Sequence, residues 1–255
     1  MKNIHCHSNY RAIEKDLMPL VANFDSLGDY VTKGQRNTIK KILINGDEIN
    51  IKQFKKPHIL NGFIYKFIRK SKAKRSFIYA KRLLEAKILT PQPIAYIEET
   101  TGLLLKDSYY ISQHLSYDFD FRELIHNPKF DDRRNILEQF TEFTFKLHEN
   151  NIQFLDHSPG NTLIVESSVK NYEFYLIDLN RMKFKTLTYE ERMRNFSRLW
   201  LSKTMIKIIA NKYAELSGRS YEFTHQMMFK YSRAYQKKID SKKLRRSGRK
   251  LVFKN

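Results

Sequence analysis

One cysteine, one tryptophan, six prolines and eight glycines are spread over 255 residues. The lone Cys6 excludes an internal disulfide and any metal cage built from cysteines. The scattered histidines show no zinc-ligand spacing. No Gly-x-Ser-x-Gly elbow is present, so acyl transfer has no support. Long apolar runs are missing too: Met205 to Ala210, itself broken by Lys207, is among the longest apolar stretches, far short of the roughly 18 to 20 residues of a membrane helix. The N-terminal stretch lacks the apolar core of a secretory signal, and a cytoplasmic location is expected.

Acidic residues are also scarce, 27 against 47 Lys and Arg, which gives a formal charge of +20. Apolar residues at 41% and charged residues at 29% mark a folded chain rather than a disordered one. The basic excess is concentrated. Residues 52 to 87 hold 12 basic side chains against one acid, Glu85, and residues 230 to 255 hold 11 against Asp240. Such blocks attract polyanions: nucleotides, nucleic acid or anionic lipid head groups. The bland reading of the last block is a solvated helix face running into a disordered tail. No nucleic-acid-binding motif accompanies the charge, so nucleic acid is not expected as a partner.

Residues 1–27 carry no pattern that assigns them. From Tyr30 the texture is that of strands. Thr38 to Ile44 and Glu48 to Phe54, joined through Asn45-Gly46-Asp47, read as an antiparallel hairpin that Pro57 ends. Ser71 to Lys87 reads as a helix with Ala73, Phe77, Ala80 and Leu84 on one stripe. Two strands follow, Ile94 to Glu98 and Tyr109 to Gln113, with a turn at Gly102. Beyond them the period changes. Asp131 to Asn150 is helical, Thr162 to Val165 and Tyr172 to Ile177 form a short hairpin, and residues 189 to about 238 are mostly helical. The fold class expected is α+β, with a small β-rich lobe over 28–112 and a larger helical lobe over 113–255.

The chemistry concentrates in Phe154-Leu155-Asp156-His157-Ser158-Pro159-Gly160-Asn161 and in Ile177-Asp178-Leu179-Asn180. An Asp, an Asn five residues later, then a hairpin leading into a second Asp is the arrangement phosphoryl transfer needs. One carboxylate would accept or orient the proton of the acceptor hydroxyl, and an amide oxygen and a second carboxylate would hold Mg²⁺, a hard cation suited to oxygen ligands. Turn residues are common in loops for conformational reasons alone. However, an aspartate at the end of an apolar strand is costly to bury without a cation or donor. Backbone N–H groups from Gly34 to Asn37 would approach phosphates, with Arg36 adding charge. His148 reads as structural; His157 either orients the loop or contacts substrate.

These motifs resemble the protein-kinase-like superfamily, a bilobal fold. The closer likeness is to the bacterial lipopolysaccharide kinases that act on 3-deoxy-D-manno-octulosonic acid (Kdo) or heptose. Gly34-Gln35-Arg36-Asn37, Ser71-Lys72-Ala73-Lys74-Arg75, Thr90-Pro91-Gln92-Pro93-Ile94, the Asp156–Asn161 loop and Ile177-Asp178-Leu179-Asn180-Arg181 carry it. The resemblance implies ATP and Mg²⁺ as cofactors, Asp156 as catalytic residue, Asn161 and Asp178 as the residues that hold Mg²⁺, and Lys52 as the lysine on the α- and β-phosphates. It also implies an anionic, lipid-linked sugar as acceptor, met at the inner face of the cytoplasmic membrane. Phe154 stands where the superfamily has His, and Asp178-Leu179-Asn180 replaces Asp-Phe-Gly. The helix from Ser71 should supply a glutamate to Lys52, yet its only acid is Glu85, near its end. The alternatives are a protein kinase and a pseudokinase scaffold that binds nucleotide or an envelope partner.

Overall fold

In the computed structural model of the chain, the described residues are 2–34, 37–54, 70–101 and 104–252. Arg36, Pro57 and Gly102 lie outside them. The chain forms two compact units, residues 1–116 with Asp178–Asn180, and residues 117–177 with 181–255.

The first unit is built on a six-stranded antiparallel sheet. Its strands are β1 (Lys2–Cys6), β2 (Asp29–Lys33), β3 (Asn37–Ile44), β4 (Asp47–Phe54), β5 (Pro93–Thr101) and β6 (Leu104–Gln113), in the order β1-β5-β6-β4-β3-β2. Asn45 and Gly46 both have positive φ, 50° and 88°. That is the geometry of the two-residue turn which matches strand twist, and it sets the β3–β4 register. Strand alternation then sorts the side chains. Ile49 and Ile51 are buried in a cluster with Leu17 and Val21 of helix α1 (Glu14–Ala22), so Lys52 points to the opposite face.

On that opposite face lies α2 (Lys72–Glu85), started by Ser71, whose hydroxyl accepts from Lys74 N at 3.0 Å. Lys52 pairs with Tyr110 and Tyr110 with Tyr96 across the sheet, and Phe77 of α2 lies 5.4 Å from the Tyr96 ring. The buried stripe of α2 is Ala73, Phe77, Ala80 and Leu83, not Leu84.

The first 27 residues supply an edge strand and the helix that covers one sheet face. Neither was expected from pattern, because the strand is short and α1 contains Pro19. A buried lysine fastens the loop after α1: Lys40 Nζ donates to the carbonyls of Asp25 and Leu27, each at 2.9 Å. Gly28 (φ +70°) closes that loop against β3, where a Cβ would lie 2.5 Å from the Lys41 carbonyl oxygen.

The second unit contains the helices α3 (Arg122–His126), α4 (Arg133–Glu149), α5 (Tyr189–Asn195), α6 (Lys203–Ser217) and α7 (Tyr221–Val252). It also has the strands β7 (Phe119–Asp120), β8 (Ile152–Phe154), β9 (Thr162–Ser168), β10 (Asn171–Leu176) and β11 (Met182–Phe184). Its core joins Ile136, Leu137 and Phe140 of α4 to Met205, Ile206 and Ile209 of α6. The basic block at the C-terminal end continues α7 to Val252 rather than forming a tail without structure. Thr224, Met228 and Ser232 bury one side of its first turns, whereas nearly every residue from Lys237 to Arg245 is exposed.

Candidate active site

In the first unit, Lys52 Nζ lies 2.9 Å from Asp178 Oδ1. Asp178 follows β10 by two residues and adopts φ +57°, a left-handed conformation that Asp tolerates better than most residues. Asn180 Nδ2 donates to the same Oδ1 at 2.5 Å. Both contacts fall on one oxygen, so among the described residues Asp178 Oδ2 has no hydrogen bond. Leu179, in place of the motif's Phe, is buried.

The helix glutamate is replaced by a different device. Arg75, a buried residue of α2, donates from Nη1 to the Asn180 carbonyl at 2.9 Å. The helix therefore grips the Asp178–Asn180 segment, and that segment's own carboxylate meets Lys52. Ser76 is turned back onto Lys72 O at 3.0 Å. Glu85 is exposed at the last turn and makes no ion pair with Lys52. Gly34 and Asn37 meet at the β2–β3 turn, with Gly34 N donating to Asn37 O at 3.0 Å. Among the described residues, Asn37 Oδ1 is buried without a hydrogen bond.

In the second unit, β8 pairs with β11 so that Phe154 faces Met182, and Leu155 N donates to Arg181 O at 3.0 Å. This register delivers Arg181 to Asp156. Arg181 Nη1 lies 3.2 Å from Asp156 Oδ2, and Arg198 Nη2 lies 2.7 Å from Oδ1. The loop is closed by its own backbone. Asn161 Nδ2 and Ser158 N both donate to Asp156 O, at 2.8 and 2.7 Å. The first contact uses the Asn161 amide nitrogen and not its oxygen. Ile177 N donates to Asn161 O at 3.0 Å at the base of the β9–β10 hairpin, and Asp178 is the next residue.

Beneath the loop lies a buried polar relay. Asn195 Nδ2 donates to Phe154 O at 2.6 Å, and its Oδ1 meets His148 Nε2 at 3.1 Å. That oxygen can only accept, so Nε2 carries the proton and Nδ1 accepts from Tyr213 Oη at 2.9 Å. Burial holds His148 neutral, pushing its pKa down to about 4, and pushes the Tyr213 hydroxyl up. His157 is also fully buried, against the rings of Phe154 and Phe140, with its pKa pushed down to about 3. It is part of the loop's packing and presents no exposed surface.

Lys52 with Asp178, and Asp156 with Asn161, are thus brought together as pairs, while Arg36 falls outside the described residues. Sequence reasoning missed Arg75, Arg181, Arg198, Asn195 and Tyr213. Two had a signal: Arg75 ends the Ser71-Lys72-Ala73-Lys74-Arg75 motif, and Arg181 stands directly after Asp178-Leu179-Asn180. Among the described residues no three His, Cys, Asp or Glu side chains gather as a metal cage. A cation here would rest on few protein oxygens plus phosphate and water, the habit of Mg²⁺.

Residues 45–235 match the family described as lipopolysaccharide kinase (Kdo/WaaP). The chain belongs to the Kdo/WaaP lipopolysaccharide kinase family. The match covers Lys52, Asp156, Asn161 and Asp178. A solved structure titled "WaaP in complex with acyl carrier protein" is similar at TM-score 0.64 and 14% identity, over 92% of this chain and 98% of that one. At that identity the likeness establishes the protein-kinase-like fold. Because 1201 chains of solved structure match, the fold alone names no activity, and the family membership carries that weight. A search of curated proteins gave no match. Among the described residues of this kinase-family chain, no helix is long and apolar enough to cross a membrane.

Proposed function

We propose that the protein transfers the γ-phosphoryl group of ATP to a sugar hydroxyl of the lipopolysaccharide inner core, on Kdo or heptose. The observation that carries this reading is the Lys52–Asp178 pair at 2.9 Å in a chain of the lipopolysaccharide kinase family. Lys52 is the charge for the α- and β-phosphates, and Gly34 and Asn37 approach them from the β2–β3 turn. The donor types fit Mg²⁺: among the described residues Asp178 Oδ2 makes no hydrogen bond, and Asn161 would supply an amide oxygen. When bound, the metal would neutralise charge developing on the phosphates. Asp156 orients the acceptor hydroxyl and receives its proton as the oxygen attacks.

The exposed basic stretch of α7 suits an anionic membrane surface at the cytoplasmic face, where the lipid-linked acceptor lies. The second reading, a pseudokinase scaffold, is favoured by α2 presenting Arg75 and not a glutamate. To test them, purified protein and Asp156→Asn are incubated with γ-labelled ATP, Mg²⁺ and a gram-negative extract lacking this protein. Label in lipopolysaccharide with wild type alone supports the sugar kinase; label in protein alone supports a protein kinase. Nucleotide binding by both variants with transfer by neither supports the scaffold.

A further inference from the structure

The second unit holds a cavity of about 360 Å³ that the proposed chemistry does not use, lined by residues of α4, α5 and α6 and of the turns beside them. Its volume suits a small metabolite, since ligand pockets run from roughly 300 to 1,000 Å³. Phe145 and Leu216 give it apolar walls, while Glu149, Arg192 and Arg219 bring charge to it. Arg192 is taken by Glu149 in an ion pair, and Glu149 is the only acid among the described residues that line the cavity. Arg219 makes no ion pair among the described residues; it lies over the Tyr189 ring, 5.6 Å from its centre. One positive charge at the cavity is therefore unbalanced.

The local sequence presents that charge. Gly218, at φ +65°, ends α6 in a left-handed turn, and Arg219 N donates to Ala214 O at 3.2 Å. The Tyr189 ring beneath Arg219 is fixed by stacking on Phe223 at 5.8 Å and by its hydroxyl, which meets Thr224 Oγ1 at 2.5 Å. A guanidinium held on an aromatic face uses none of its N–H donors there. The exposed fork of Arg219 is left for the oxygens of a carboxylate or a phosphate.

Arg192 links the cavity to the Asp156 loop. Its guanidinium interacts with the Tyr213 hydroxyl, which donates to His148 Nδ1. His148 Nε2 donates to Asn195 Oδ1, and Asn195 Nδ2 to Phe154 O. Every donor in this chain points the same way, toward Phe154, two residues before Asp156. Hydrogen bonds set head to tail polarise one another, so a change at Arg192 is felt at the loop. An anion on Arg219 that also draws Arg192 toward itself weakens the chain at its charged end. We propose that this cavity is an effector site for a small organic anion, carboxylate or phosphate, and that its occupancy loosens the Asp156 loop.

The test titrates ribose 5-phosphate and citrate, separately, into the full chain whose nucleotide site is filled with Mg²⁺ and a non-hydrolysable ATP analogue. One equivalent of at least one probe should bind by calorimetry, and the tighter probe identifies the acid recognised. Arg219→Gln should weaken that binding by roughly tenfold or more, as for loss of a charge-assisted hydrogen bond. Arg134→Gln, at an exposed arginine of α4 outside the cavity, should leave it within about twofold. Equal losses in the two variants would show diffuse attraction to a basic protein and overturn the inference. Hydrogen exchange gives the second readout. Bound anion should speed amide exchange across residues 152–161 in the wild type, and the same concentration should not do so in Arg219→Gln. Binding without that change overturns the effector role, and binding by neither probe overturns the site. None of these measurements requires phosphoryl transfer, so the inference fails or holds apart from the sugar-kinase reading.

Discussion

Two candidate carboxylates, Asp178 in the first unit and Asp156 in the second, are held in opposite ways. Asp178 is gripped on one oxygen, by Lys52 and the Asn180 amide, and among the described residues its other oxygen has no hydrogen bond. Asp156 has both oxygens taken, each by a guanidinium. The first arrangement suits a metal ligand, which must be in place before nucleotide arrives. The second suits a group whose lone pairs are kept occupied until the acceptor binds. The difference is one of readiness, and it predicts separable defects.

The largest effect is expected at the open carboxylate. Asp178→Ala should abolish Mg²⁺-dependent nucleotide binding in a calorimetric titration, because it removes both the metal oxygen and the partner of Lys52. Nucleotide affinity equal to that of the wild type would sink the metal assignment. Asp156→Asn should behave in the opposite sense. It keeps the shape of the loop and should leave nucleotide affinity within about threefold, while transfer falls by roughly 10²–10⁴, the usual worth of a positioned base. If one substitution produced both defects in equal measure, the contrast between the two carboxylates would be lost.

A smaller effect concerns the floor beneath Asp156. His148 and His157 are buried in the neutral form, with pKa values pushed down by desolvation to about 4 and about 3. In the unfolded chain a histidine titrates near 6.5. Below that value the unfolded state binds protons that the folded state refuses, so stability is full above pH 6.5 and falls as the pH drops. Each histidine should cost about 2 kcal/mol by pH 5. Among the described residues His157 makes no hydrogen bond through either ring nitrogen, so His157→Phe should remove about half of the loss between pH 7.5 and 5, read by denaturant unfolding. An unchanged slope would mean that His157 is not held neutral.

Much of this was legible in the sequence, and what was hidden has a physical pattern. The Asn45-Gly46 turn, the apolar stripe of α2 and the Asp156–Asn161 loop are local, and spacing along the chain reveals them. Arg198 and Asn195 act on Asp156 and Phe154 from about forty residues away, on a 3₁₀ turn and a helix end whose sequence has no distinguishing signal. The edge strand β1 is invisible for the same reason, since its partner Ala95–Glu99 is remote in sequence. The role of Arg75 was hidden by expectation: a glutamate was sought on α2, and a cation does the holding.

That substitution gives the smallest effect and the sharpest test of how Lys52 is oriented. Arg75 Nη1 donates to the Asn180 carbonyl, and Asn180 in turn donates to the Asp178 oxygen that meets Lys52. Arg75→Met keeps the apolar stem and removes the donor, so the Asp178–Asn180 segment loses its tie to α2. Nucleotide affinity should then weaken about tenfold, the worth of a single hydrogen bond from a charged donor. Glu85→Gln, which alters the only acid of the helix at an exposed position, should change affinity by less than about twofold, as surface substitutions do. The opposite ranking would restore Glu85 as the partner of Lys52 and make the Lys52–Asp178 pair a contact that nucleotide displaces.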